Sequence, residues 1–123
     1  MGYSAELTEK QKLPKVLTSY YAAIEAEKVD DVMAFYHSKC TLPFTPEGIR
    51  QTFAQVDYRY KITNIRYIGD DGINFVIIYR EQTEFWIVKE GKKKLTDQED
   101  SEVLMVFRRE KGRLKIFSSN PLK

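Results

Sequence analysis

This chain has little of the residue types that announce a chemistry. It holds one cysteine, Cys40, so no disulfide can close within it, and nothing points to a small secreted scaffold held by bridges. Its one histidine, His37, precedes that cysteine by three residues. One His and one Cys are too few for the usual structural zinc set, so no metal and no cofactor is expected. No apolar run approaches the ~20 residues of a membrane-spanning helix, and no membrane partner is expected. The first residues are too polar for a signal peptide, and Glu6 stands where a myristoylation signal requires Ser or Thr. An excess of one charge is also missing. With 20 Lys and Arg against 18 Asp and Glu, the chain makes no case for a nucleic-acid partner. A glycine-rich phosphate loop, a Cys-x-x-Cys pair, an HExxH run and a G-x-S-x-G turn are all absent. The expectation these absences leave is a cytoplasmic protein.

What is present is the composition of a globular domain. The chain has 123 residues, 42% of them hydrophobic, enough to bury one core as a single domain over 1–123. Its first third reads helical. Thr8 and Gln11 have capping-box spacing, but a helix begun at Thr8 would carry Pro14 in its interior and lose a hydrogen bond there. A main helix from Pro14 to about Glu27 avoids that loss, since proline is tolerated in a first turn. Along it Val16, Leu17, Tyr20, Tyr21 and Ile24 recur at three- and four-residue spacing and form one apolar stripe. A second helix is expected to begin at an Asp30 N-cap, with Val32, Met33, Phe35 and Tyr36 on its buried face and His37 in its last turn. "TPEGIRQTFAQV" predicts a third, with Pro46 early and Ile49, Phe53 and Val56 on one side.

From Asp57 the chain changes character. "YRYKITNIRYI" is rich in β-branched and aromatic residues and ends in the turn signal "GDDG". "INFVIIYREQTEFWIV" predicts a long strand, bent or bulged at the polar "REQT". After a "KEGKKKLTDQED" connection come "SEVLMVFRR", a tight "EKG" turn and the last strand "RLKIFSS"; a short strand at "CTLPF" also fits. Three helices followed by antiparallel strands make an α+β fold, with the helices on one face of a curved sheet. The basic runs "GKKK" and "FRREKGRLK" fall at hairpin turns and read as solvated surface.

The strands carry apolar residues on both faces. Ile73, Phe75, Ile77 and Tyr79 alternate with Val76 and Ile78, and Val103, Met105 and Phe107 alternate with Leu104 and Val106. Trp86 and Val88 likewise oppose Phe85 and Ile87. Short helices can cover only one such face. A second copy of the sheet is the simplest cover for the other, which predicts a homodimer through the outer face of the sheet.

"YYAAIEAEKVDDVMAFYHSKCTLPF" followed by "PEG" resembles the opening of nuclear transport factor 2-like proteins, the superfamily that includes SnoaL-like cyclases and ketosteroid isomerase. "DGINFVIIY" and the closing "RLKIFSS" fit the same pattern, so the likeness in element order covers nearly the whole chain. The resemblance implies a cone-shaped, cystatin-like fold in which a curved antiparallel sheet wraps the N-terminal helices and leaves a cavity at its open end. Catalytic members place their groups in that cavity and others bind ligands there. The isomerase tyrosine that holds the developing enolate oxygen matches Tyr20. The isomerase general-base aspartate falls on Phe44, which cannot take a proton, and no acid lies between Cys40 and Phe44. The resemblance therefore implies binding rather than catalysis.

Three uses of the fold stay open. The first is a non-catalytic binder of a small hydrophobic ligand, with Tyr20, Tyr36, Phe44, Phe53, Tyr60, Phe75, Tyr79 and Phe107 as the candidate lining. The second is an isomerase, dehydratase or cyclase-type enzyme with a relocated acid or base, for which Tyr20 and His37 are the weak candidates. It requires a buried carboxylate within reach of Tyr20 or His37. The third is a protein-association module. A bulge at "REQT" would exchange the faces of Glu81 and Glu84, so strand parity does not place them, and the expectation is that they are exposed or salt-bridged. His37 and Cys40 lack a third orienting group and are not expected to form a nucleophile–base pair.

Overall fold

Leu13 and Leu17 are wholly buried, and the need to bury both decides where the first helix begins. In the computed structural model, which describes residues 8–42 and 44–122, α1 runs Glu9–Glu25. Thr8 caps it through the full reciprocal box with Gln11. The expected start at Pro14 is thus corrected. Pro14 sits inside the helix and forgoes one backbone bond, while the extra turn delivers Leu13 to the core. Burying a leucine contributes about 1.5–3 kcal/mol, which offsets much of the proline penalty of ~3 kcal/mol. The helix ends in a Schellman turn, with Lys28 N–H donating to the Ala23 carbonyl at 3.1 Å and Glu27 at φ 58°.

Helix α2 is a short piece, Val29–Ala34, capped at Lys28 without a side-chain bond, so Asp30 lies within its first turn rather than at the cap. Only Val32 of this helix is fully buried. Phe35, Tyr36 and His37 lie beyond its end, where two backbone bonds of 2.8 Å, His37 N–H to the Ile116 carbonyl and Ile116 N–H to the Phe35 carbonyl, tie them to the sheet. His37 is therefore not in a helical turn. No strand forms at Cys40–Leu42 or Phe44; the readings of Pro43 and of the residues before Thr8 lie outside the described residues. Helix α3, Pro46–Gln55, opens on Thr45, whose hydroxyl accepts from Gly48 N–H at 3.1 Å.

Four strands follow in sequence order: β1 Val56–Asp70, β2 Phe75–Lys89, β3 Lys92–Glu110 and β4 Arg113–Leu122, all antiparallel neighbours. Two-residue turns at Glu90-Gly91 and Lys111-Gly112, with every φ positive, join β2 to β3 and β3 to β4. The segment read as a "KEGKKKLTDQED" connection thus holds only the two-residue turn, and from Lys92 it is the start of β3, exposed and paired to β2 on one side. The expected irregularity at "REQT" is absent. β2 runs through Arg80–Thr83 in register with both neighbours, and its ladder with β3 shifts at Phe85/Trp86. β1 itself is bulged twice, between Thr63 and Arg66 and between Tyr67 and Gly69.

The concave face carries the core: Phe75, Ile77 and Tyr79 of β2, Val103, Met105 and Phe107 of β3, Leu114 and Ile116 of β4, packed on Leu13, Leu17, Tyr20 and Tyr21. Ile73 does not join them, since it sits in the β1–β2 loop at 63% exposure. On the convex face Val76, Ile78, Leu104 and Val106 remain half-buried within one chain. The fold is α+β, three N-terminal helices on a curved four-stranded antiparallel sheet, as the residue pattern implied.

Candidate functional site

Between α1, α2, α3 and β1 lies a cavity of about 580 Å³. α1 contributes Tyr20 and Ile24, α2 contributes Val32, and the segment after α2 contributes Tyr36 and Phe44. Thr45, Gly48, Ile49, Thr52 and Phe53 come from α3 and its cap, Tyr58 and Tyr60 from β1. Exposed Thr45 and Thr52 mark the mouth. α3 is amphipathic yet has no fully buried residue, because its apolar side faces this space rather than packed core. A second hollow of similar volume is lined by charged and amide side chains, among them Arg59, Lys61, Gln82, Glu84 and Asp100, together with Tyr60.

The first cavity is walled by aromatic rings in mutual contact. Tyr20 meets Tyr36 edge-on at 5.6 Å, Tyr36 meets Phe44 at 5.7 Å, Phe53 meets Tyr58 at 6.3 Å, and Tyr58 stacks on Tyr60 at 6.2 Å. Its polar groups are hydroxyls. Those of Tyr20 and Tyr36 hydrogen-bond to each other. Burial pushes both phenols above their ordinary range, and for Tyr20 the neighbouring Tyr36 adds to it. Burial raises Tyr60 too, reinforced by the Glu81 charge. All three stay protonated at neutral pH; one hydroxyl of the Tyr20–Tyr36 pair donates to the other, which leaves the second of that pair and Tyr60 to donate to a ligand oxygen. None of the lining residues is charged.

Behind this wall is a second polar cluster that the pattern did not locate. Because β2 is unbroken, Phe75, Ile77, Tyr79, Glu81 and Thr83 all face inward. The Tyr21 hydroxyl donates to Glu81 Oε2 and receives the Tyr79 hydroxyl at 2.6 Å, while Thr83 Oγ1 donates to Glu81 Oε1 at 2.9 Å. Tyr21 is pushed up by burial and then by Tyr79 and Glu81, so it remains a donor. The expectation of a solvent-facing Glu81 is corrected. Glu84 lies on the opposite face, half-buried, where it accepts from Trp86 Nε1 at 3.1 Å. An uninterrupted two-residue alternation from Phe75 to Thr83, with no Gly or Pro in "REQT", was the available signal for the inward Glu81.

The other candidates divide. Tyr20, Tyr36, Phe44, Phe53 and Tyr60 line the cavity. Phe75, Tyr79 and Phe107 lie in the packed core beneath it, Phe107 and Tyr79 at 0% exposure, so they do not form the wall. His37 lies away from the wall. Its ring meets Phe117 at 5.7 Å, and its Nδ1 accepts from Lys39 N–H at 3.1 Å and stands 3.9 Å from Glu110. Cys40 Sγ is directed to the Thr41 carbonyl, and burial raises its thiol, which keeps it protonated. Among the described residues no group of His, Cys, Asp and Glu is arranged to hold a metal ion, and no helix is long and apolar enough to cross a membrane.

A curved sheet closed by three helices over an aromatic cavity is the nuclear transport factor 2-like fold. Solved structures share it. The beta subunit of benzoate 1,2-dioxygenase from Burkholderia mallei superposes with TM-score 0.72 at 11% identity, over 95% of this chain and 91% of that one. A scytalone dehydratase-like protein from Novosphingobium aromaticivorans gives 0.71 at 10%, over 92% and 82%. ActVI-ORFA from Streptomyces coelicolor gives 0.65 at 10%, over 90% and 93%. No family sequence model and no curated protein sequence matches the chain. Identities this low establish a shared fold and nothing finer.

Proposed function

We propose that this chain binds a small, neutral, largely aromatic ligand in the cavity between α1, α3 and β1, without transforming it. The observation that carries the reading is the chemistry of the wall: about 580 Å³ bounded by rings, aliphatic side chains and hydroxyls, with no charged side chain. A charged ligand would lose its hydration there without a partner. A planar ring with one or two oxygens would meet aromatic faces and the Tyr20, Tyr36 and Tyr60 hydroxyls. Phe44, at the isomerase base position, leaves the cavity without a proton acceptor of its own. Titration with 2-naphthol and 9-phenanthrol, followed by amide shifts, tests this. Shifts should centre on Gly48, Ile49, Tyr58 and Tyr60 and vanish in Ile49→Trp, which fills the space. Shifts scattered elsewhere, or none, would refute it.

One observation favours an enzyme of isomerase, dehydratase or cyclase type, a class to which a scytalone dehydratase belongs by name. Glu81 supplies an inward carboxylate one hydrogen bond from Tyr21, whose ring meets Tyr20 at 5.1 Å. It is not on the cavity wall, and both its oxygens already accept hydrogen bonds, which is why binding is the preferred reading. Turnover of a ring ketone lost in Glu81→Gln, with naphthol binding kept, would reverse that preference. The reading includes a cytoplasmic location, testable by cell fractionation. It also includes a homodimer through the convex sheet face, where Val76, Ile78, Leu104 and Val106 await cover, and Ile78→Lys with Leu104→Lys should abolish that pairing in light scattering.

A further inference from the structure

β3 is longer than the strand that covers it. β4 pairs with Glu102–Glu110, whereas the preceding half, from Lys92 to Asp100, pairs with β2 on one side. Among the described residues no strand pairs with the other side. Every residue from Lys92 to Asp100 is exposed. This half of β3 is an open edge, with a row of backbone donors and acceptors facing water.

The residues along that edge select what can pair with it. They read Lys92-Lys93-Lys94-Leu95-Thr96-Asp97-Gln98-Glu99-Asp100, basic at one end and acidic at the other. Phe85 pairs with Asp97 and Trp86 with Leu95, so Thr96 is the extra residue of a bulge. The bulge puts Lys92, Lys94, Asp97 and Glu99 on one face of the strand, and Lys93, Leu95, Gln98 and Asp100 on the other. The second group is engaged within the chain. Lys93 meets Asp57 at 2.5 Å, Asp100 meets Arg80 at 2.8 Å, and Gln98 donates to Glu84 at 3.4 Å. None of the ion pairs among the described residues involves Lys92, Lys94, Asp97 or Glu99.

We propose that this edge pairs antiparallel with the same edge of a second copy, about a twofold axis passing between Leu95 and Thr96. Lys92 then stands opposite Glu99 of the partner subunit and Lys94 opposite Asp97 of the partner subunit. The twofold repeats both contacts. These are the charges of this edge that form no ion pair within the chain, and they lie on one face, as cross-strand partners must. Pairing in the parallel sense would set lysine against lysine, so the charge order specifies orientation as well as partner. Backbone bonds join the two sheets, and the bulge confines its disruption to the centre of the contact. A nucleic acid or another acidic partner would suit Lys92–Lys94 but would be repelled by Asp97–Asp100, which is why a second copy is the occupant. This contact uses the strand edge and is separate from the pairing of convex faces proposed above.

Charge reversal in two halves tests the proposal. Lys92→Glu with Lys94→Glu makes the charges on this face of the edge all acidic, and Asp97→Lys with Glu99→Lys makes them all basic. The full-length wild type and both variants are compared by size-exclusion chromatography with light scattering at low salt and high micromolar concentration, with circular dichroism as the check on folding. Each variant alone should halve the wild-type mass. An equimolar mixture should restore it, because every acidic position then faces a lysine. The Ile78→Lys, Leu104→Lys background removes the convex-face pairing, so loss of one contact is read independently of the other. A monomeric wild type in the unmodified chain, a mass unchanged in both variants, or a mixture whose mass stays at that of the separate variants would overturn the proposal. So would binding of a random-sequence DNA oligonucleotide that only Lys92→Glu, Lys94→Glu abolishes, with the oligomeric state unaltered.

Discussion

Replacing Tyr21 by phenylalanine removes one oxygen from the interior and deprives two partners at once. Tyr21 is 7% exposed, its hydroxyl donates to Glu81, and it receives the Tyr79 hydroxyl at 2.6 Å. A hydrogen bond to a charged group is worth about 1.5–3 kcal/mol and a neutral one about 1 kcal/mol. Water cannot readily replace the lost oxygen, so Tyr21→Phe should cost about 2.5–4 kcal/mol. That is a large share of the roughly 5–15 kcal/mol that holds a domain of this size. The melting temperature should fall by roughly 10–15 °C. Tyr79→Phe is the control. It removes only the neutral donor, Tyr21 keeps Glu81, and the cost should be about 1 kcal/mol. Urea denaturation of Tyr21→Phe, Glu81→Gln and the double variant completes a cycle whose coupling should be about 1–2 kcal/mol. If Tyr21→Phe costs less than about 0.5 kcal/mol, or no more than Tyr79→Phe, the inward carboxylate is not held as described and the argument fails.

Pro14→Ala restores the bond that α1 forgoes and should raise stability by about 1–3 kcal/mol in urea denaturation, the range reflecting the entropy that proline removes from the unfolded chain. Glu27 is raised to about 7, chiefly by its hydrogen bond with Asp57 and then by burial, while Asp57 is lowered chiefly by the same bond. A raised acid contributes stability that is complete below its unfolded value and is lost as pH climbs through about 7; the lowered Asp57 loses its contribution in the opposite sense, as pH falls through its depressed value. The junction of α1 and β1 should therefore be firmest on the acid side of neutrality, and Glu27→Gln should flatten the decline above it, as read from hydrogen exchange at the start of β1. Leu17→Ala opens a cavity at a wholly buried site and should cost about 2–5 kcal/mol by thermal denaturation. Cys40→Ser should leave naphthol binding within about twofold, since the thiol takes no part in the first cavity's wall.

What the chain states by itself is carried by local, repeating signals. The stripe from Val16 to Ile24 dictates a helix with one buried face, and the alternation in β2 and β3 dictates strands. The element order that follows from them already selects a curved sheet over helices. The misreadings fall where a local preference met a tertiary demand. Pro14 argues against a helix through it until Leu13 needs burial. His37 reads as helical until backbone bonds to Ile116 draw it to the sheet. The polar run "REQT" reads as a break until both neighbouring ladders hold it in register.

The site divides in the same way. Tyr20, Tyr36, Phe44, Phe53 and Tyr60 are residues whose aromatic character is visible in the sequence, yet nothing local says that they share one wall. Phe75, Tyr79 and Phe107 have the same character and form solid core instead. Which aromatics surround space and which fill it depends on where α3 crosses β1, a separation between elements that no local pattern encodes. Residue chemistry and periodicity determine the elements and the face each one buries. Only the packing of those elements decides that Glu81 meets the Tyr21 hydroxyl, and that half of β3 is left without a neighbour on one side.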